Sequence, residues 1–212
     1  VKNEEWIIER FLKCTSLWAD HIILADQNSS DRTVEIASTF EKVRIVKNDT
    51  KYDEKHRQQL LIKEARKITN NALLITLDAD EFFTANFHAS PEWNTLLSMP
   101  KGSVAAFNWL DVHPDFKHIS HTPSFYGQWA FMDDGSDHFG GRKIHSHRIP
   151  IPENATHYHL NDIAVLHYNY VDPKRNLSKR RWYMCLELLN YNVDVHTLYR
   201  KYFLNHGLGR KG

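Results

Sequence analysis

The chain has 212 residues, with 27 Lys and Arg against 26 Asp and Glu for a formal net charge of +1, and 42% of its residues are hydrophobic. A core of that size needs no staples, the near-zero charge excludes a bulk nucleic-acid binder, and Cys14 and Cys185 show no CxxC or zinc-ribbon spacing. One soluble domain over 1–212 is expected, with reduced or buried thiols; no apolar run is long enough to span a bilayer and VKNEEW lacks a signal-peptide pattern, so cytoplasmic residence is expected.

Taken in chain order, Glu4 to Trp18 spaces Trp6, Ile7, Ile8, Phe11, Leu12, Leu17 and Trp18 as an amphipathic helix. His21 to Ala25 is a short apolar run closed by Asp26 and a polar cluster, which predicts a buried strand leaving into a loop. Thr33 to Phe40 reads as helix, Val43 to Val46 as strand, Asp53 to Ile68 as helix, and Ala72 to Leu77 as a further buried strand ending on Asp78. Such alternation, with strands that lack polar positions, predicts an α/β fold with a mostly parallel, doubly wound sheet. Sheets of that kind bind ligands beyond the carboxyl ends of their strands. The residues at those positions are acidic: Asp26, and then Asp78, Asp80 and Glu81.

Beyond Phe83 the pattern changes, so 1–83 reads as a ligand-binding half and 84–212 as a variable, substrate-facing half. Pro91 to Leu97 predicts a helix and Val104 to Leu110 a strand, while Val112 to Pro152 reads as loop, crowded with His and aromatics. Asp172-Pro173 gives an N-cap followed by Pro at the first helical position, opening a helix through Leu189 with Leu177, Trp182, Tyr183, Leu186 and Leu189 inward. A last short helix is expected over Thr197 to Asn205.

In extended backbone residues two apart project to the same side, so Asp78 and Asp80 can face one point beyond the sheet. Two carboxylates at one point suit Mg²⁺ or Mn²⁺, which fill their remaining positions with water and substrate phosphates. Strand-end and helix-cap roles are the plainer alternative for the same acids.

The opening VKNEEWIIERFL, the segment IILADQNSSDRTVEIA and the segment LLITLDADEFF resemble, in order and spacing, the nucleotide-binding half of family 2 glycosyltransferases of the GT-A fold. The resemblance runs from Val1, where the family's first strand is shortened or absent, to about Phe83; beyond it rests on DDGSDHFGGRKIHSHRIP and the His167 region. It implies a nucleotide-sugar donor, Mg²⁺ or Mn²⁺, and inversion by single displacement. Glu4 matches an acid against the nucleotide, Asp26 the acid that bonds the base, and Asp78 and Asp80 the DxD motif at ribose and metal. Arg57 matches an Arg that reaches toward the nucleotide, and His167 a late His that completes the metal site. Asp134, and after it Asp133, fit the general base by their distance after the DxD and their Gly-bordered loop; two solvated turn acids are the alternative. The resemblance further implies an unidentified glycan, lipid-linked or protein acceptor, a setting in glycan or cell-surface polysaccharide biosynthesis, peripheral membrane contact and no nucleic acid.

Most of the 14 histidines lack zinc spacing, with His145 and His138 as lesser candidates for sugar or phosphate contact. The basic stretch Lys174, Arg175, Lys179, Arg180 and Arg181 suits diphosphate or lipid headgroups, or is a solvated face. Trp109, Phe125, Tyr126, Trp129 and Phe131 form either a sugar platform or core. Two other functions share the acids: a metal-dependent nucleotidyltransferase or phosphohydrolase, and a non-catalytic sugar-nucleotide-binding module.

Overall fold

The computed structural model describes residues 1–50, 52–137 and 143–204, except the side chains of 122–126. These residues form two compact units, one of Val1–Asp111 with Ser120–His167, the other of Val112–Ile119 with the segment from Tyr168 onward.

The first unit opens with α1 (Ile8–Thr15), which buries Ile8, Phe11, Leu12 and Thr15, the stripe expected from their spacing. Strands β1 (Ile22–Asp26) and β2 (Val43–Lys47) pair in parallel, and α2 (Thr33–Ala37) supplies the crossover that parallel neighbours require. Helix α3 (Glu54–Arg66) begins at the Asp53 cap, whose carboxylate accepts from the His56 amide at 3.0 Å. Strands β3 (Leu73–Ile75), β4 (Glu81–Phe83), β5 (Val104–Val112), β6 (Ile119–Met132) and β7 (His157–His167) form a second sheet in the order β3-β6-β5-β7-β4, and α4 (Pro91–Leu97) lies between β4 and β5 in the chain.

The α/β class holds, but the sheet is mixed rather than mostly parallel. β5 and β7 run parallel, whereas β3 with β6 and β4 with β7 run antiparallel. Only five residues, 76–80, separate β3 from β4, too few for a parallel crossover. The segment expected as loop from Val112 contains the 14-residue β6. Pro123 and Gly127 inside it read as breakers, yet Gly127 has a packing reason. A Cβ there would meet the Trp129 ring at 1.9 Å, so the indole needs a bare backbone beneath it. The core gathers Phe83, Leu96, Phe107, Trp129, Ile163 and Val165, with Trp93 packed edge-on against Phe83 and Trp18 tilted against the same ring.

One irregularity fixes the register of the sheet's ligand end. Phe107 pairs with Leu160 but Asn108 with Ala164, so β7 carries three extra residues, 161–163. Their amides are satisfied from α4: the Glu92 carboxylate accepts from Asn161, Asp162 and Ile163 at 2.8, 2.9 and 3.0 Å.

In the second unit α5 (Pro173–Asn190) starts at the expected cap, Asp172 accepting from the Lys174 and Arg175 amides. Helix α6 (Val195–Tyr199) continues into a π-helical turn, Arg200–Leu204. The inward stripe expected on α5 is a correction: Leu177, Trp182 and Leu189 are exposed, Tyr183 and Leu186 are half-buried, and Asn176 and Glu187 are the buried residues. Cys14 and Cys185 are unbridged, and exposed rather than buried. Among the described residues no helix is long and apolar enough to cross a membrane.

Candidate functional site

The site lies where β3, β5 and β7 end and β4 begins. His167, the last residue of β7, stands opposite Glu81 on one side and Asp111 on the other. Cross-strand partners share a face, so three titratable groups meet in one row. Asp78 and Asp80 enter from the turn that follows β3; Asp80 Oδ2 lies 3.7 Å from His167 Nε2, and Asp111 Oδ1 lies 2.7 Å from His167 Nδ1. An ionised carboxylate only accepts, so with Asp111 ionised Nδ1 donates to it, and Nε2 is the ring nitrogen that faces Asp80.

Glu81 is fully buried. Its Oε2 accepts from Arg148 at 2.5 Å, from Trp129 Nε1 at 3.2 Å and from the Asp78 amide at 2.9 Å. Its Oε1 takes no hydrogen bond from the described residues. Burial pushes the Glu81 carboxyl up; Arg148 opposes this, while Asp78 and Asp80 add to it. Arg148 also reaches Asp78 Oδ2 at 2.9 Å and sits 5.8 and 5.6 Å over the rings of Trp109 and Trp129. Burial works against its charge, but Asp78 and Glu81 outweigh it and hold the guanidinium protonated.

The sequence around Arg148 explains how an arginine from an irregular segment is held so firmly. Ile144 and Ile149 are buried on either side of it. Glu54, at the start of α3, fixes the same segment: its amide donates to the Lys143 carbonyl at 2.9 Å and its carboxylate accepts from the Ser146 amide at 3.1 Å. The first turn of α3 therefore serves the site twice, since Arg57 lies 3.8 Å from Asp78 Oδ1.

The residues expected at the donor share this neighbourhood. The Val1 nitrogen donates to the Ala25 carbonyl at 2.7 Å. Arg57, Asp78, Glu4 and Asp26 all lie within electrostatic range of this nitrogen. Asp26, 8% exposed at the end of β1, accepts from the Ser29 amide at 3.2 Å, and Glu4 accepts from Trp6 Nε1 at 2.8 Å.

Asp133 and Asp134 are not brought to this place. The Asp133 amide donates to the Ala72 carbonyl at the start of β3, six residues before Asp78, on the order of 20 Å away along extended chain. Its buried carboxylate is bracketed by Arg66, with Nη2 at 2.8 Å and Nε at 3.1 Å, and by the Gly135 amide at 3.0 Å. Burial opposes ionisation there, but Arg66 and Gly135 prevail and the pKa is lowered. Asp134 is exposed beside Gly102 and accepts from the Ser136 amide at 2.9 Å. Strand direction overturns the inference from chain distance: β6 runs against β3, so the residues after it return to the wrong end.

Among the described residues no group of three or more His, Cys, Asp or Glu is placed to hold a metal ion. Asp78 is engaged by Arg148 and Arg57. The donor set that fits Mg²⁺ or Mn²⁺ is Asp80 with His167, a carboxylate and an imidazole held by a second carboxylate, the remaining positions suiting phosphate oxygens and water. His145 is exposed, and His138 lies outside the described residues. Trp129 and Phe131 are core, Trp109 is half-buried edge-on to His167 at 4.7 Å, and the side chains of Phe125 and Tyr126 lie outside the described set.

Sequence reasoning missed Arg148 and Asp111. Asp111 directly follows the strand expected over Val104 to Leu110, and the rule that singled out Asp26 and Asp78 reaches it as well. Arg148 carries no comparable signal.

The sequence pattern of Glycosyl transferase family 2 matches residues 1–141. No curated protein matches the chain.

Proposed function

Because the chain belongs to glycosyl transferase family 2, whose members are glycosyltransferases of the GT-A fold, we propose that it transfers a sugar from a nucleoside-diphosphate donor to an acceptor hydroxyl with inversion. The acceptor class is a glycan, a lipid-linked saccharide or a protein, in glycan or cell-surface polysaccharide assembly. Family membership sets aside nucleotidyl transfer, phosphohydrolysis and idle binding.

The observation that carries this reading is the cluster of Asp80, His167 and Asp111 beside the arginine-held Asp78. Breaking the bond from sugar to diphosphate leaves negative charge on the departing group and an oxocarbenium-like sugar. A divalent ion, when bound by Asp80 and His167, supplies positive charge for the diphosphate. Asp111 keeps the His167 ring in one tautomer and orientation. Arg148 and Arg57 hold Asp78 so that its remaining acceptor capacity meets the ribose, and Asp26 and Glu4 flank the base. Arg57, close to Asp78 and with its charge secured, also faces the anionic donor.

Calorimetric titration of UDP, GDP and CDP with and without Mn²⁺ tests the donor and the ion together. At least one diphosphate binds with Mn²⁺, and Asp80→Asn removes the metal dependence while lowering turnover by about a hundredfold or more. Metal-dependent binding by none of the three, or an unaltered Asp80→Asn enzyme, rejects the assignment.

A further inference from the structure

Helix α5 turns polar residues inward and large apolar residues outward. Glu187 is buried, held by Lys201 Nζ at 2.5 Å and by the Tyr202 hydroxyl. Leu177, Trp182, Leu188 and Leu189 are exposed, Leu189 to 81%. At about 100° per residue these four fall in a single sector of roughly 140°, and Lys174 and Arg181 lie inside the same sector. Both cations are exposed too. An outward face of this kind is an interaction surface, since isolated domains bury such a stripe.

Charge identifies the occupant. Of the ionisable side chains on α5, Lys174, Arg175, Lys179, Arg180 and Arg181 are cations and Glu187 is the acid, already engaged on the buried side. A second copy docked face to face would set one cationic face, carrying Lys174 and Arg181, against an identical one with no carboxylate from either helix between them. A lipid surface meets both demands. Leucines and an indole enter the acyl boundary, the tryptophan at headgroup level, while lysine and arginine stems lie along apolar surface with their charges at anionic phosphates. Spanning is not an option for a helix carrying five cations.

We propose that α5 docks the enzyme peripherally on an anionic lipid surface, its exposed face against the headgroups. The proposal rests on α5 alone and is independent of the transfer chemistry, so each can fail without the other.

Flotation of the full chain with vesicles of phosphatidylcholine, alone or with about a third phosphatidylglycerol, tests it. The chain floats with the anionic vesicles and is released by high salt. The exposed pair Lys174→Glu with Arg181→Glu weakens binding on the order of thirtyfold, and Trp182→Ser with Leu189→Gln weakens it about tenfold or more, both with an unchanged thermal melt. Absence of flotation overturns the proposal. So does flotation that ignores these substitutions, or a self-associated species in sedimentation that the same substitutions dissolve while vesicles capture nothing.

Discussion

Two arginine–carboxylate clusters sit at opposite ends of β3, and one helix serves both. Arg57, in the first turn of α3, points to Asp78; Arg66, its last residue, grips Asp133. Nine residues separate the two arginines along the helix, about 13 Å at the usual rise. The Asp133 cluster is saturated: Arg66 bonds Asp133, Asp137 and the Ser136 carbonyl, and Gly135 completes the carboxylate. In the other cluster four carboxylates, Asp78, Asp80, Glu81 and Asp111, meet two guanidiniums and one imidazole, and a Glu81 oxygen has no hydrogen bond from the described residues. The saturated pair holds the fold. The surplus of negative charge is what a cation and an activated sugar can use.

Substitutions divide the clusters most sharply where charge is buried. Arg148→Met strands Glu81 without its countercharge and costs about 3–5 kcal/mol; chemical denaturation reads the loss, and titration with UDP, GDP and CDP reads the accompanying loss of donor binding. Gly127→Ala drives a methyl into the Trp129 ring, displacing the indole that bonds Glu81 and underlies Arg148. It costs about 1–3 kcal/mol and blue-shifts or quenches tryptophan fluorescence; an unchanged melt would show that the ring has another place to go.

At the saturated end the effects are smaller and their pH dependence has a sign. The Asp133 carboxylate has a lowered pKa, so its stabilisation is complete above the ordinary carboxylate range and disappears as pH falls through its own pKa. Asp133→Asn therefore costs about 1–2 kcal/mol near neutrality, and the gap from wild type closes below about pH 4. Glu81 acts in the opposite sense. Its raised pKa means that ionising it as pH climbs subtracts stability, so Glu81→Gln gains on wild type with rising pH. Asp134→Asn is the smallest change, within about 0.5 kcal/mol and with full transfer activity. Loss of transfer with intact donor binding would restore that residue to the reacting centre.

The clustered strand-end residues were legible because one rule finds them: an apolar run marks a strand, and its carboxyl end marks where polar groups converge. Asp26, Asp78 and Asp80 follow from it, and His167 closes an apolar run in the same way. Strand direction was not legible, since burial on both faces conceals whether neighbours run parallel, and Asp133 and Asp134 were misplaced for that reason. β6 was hidden by Pro123 and Gly127. Arg148 was hidden because two buried isoleucines and a glutamate 94 residues upstream, Glu54, position it rather than any local period. On α5 the helix was legible and its facing was not, because the usual preference of leucine for the interior is reversed there.

The extra residues in β7 work as a vernier on the chemistry. Had the regular pairing of Phe107 with Leu160 run on through Asn161, Asp162 and Ile163, Asp111 would stand across from Ala164, and the imidazole would slide past its partner. Glu92 keeps that setting from the far end of the strand, by occupying three amides that would otherwise favour a straight ladder. A lesion at Glu92 would thus present as a protein that folds and yet misaligns its His167 imidazole, with the fault recorded several residues from where the damage is felt.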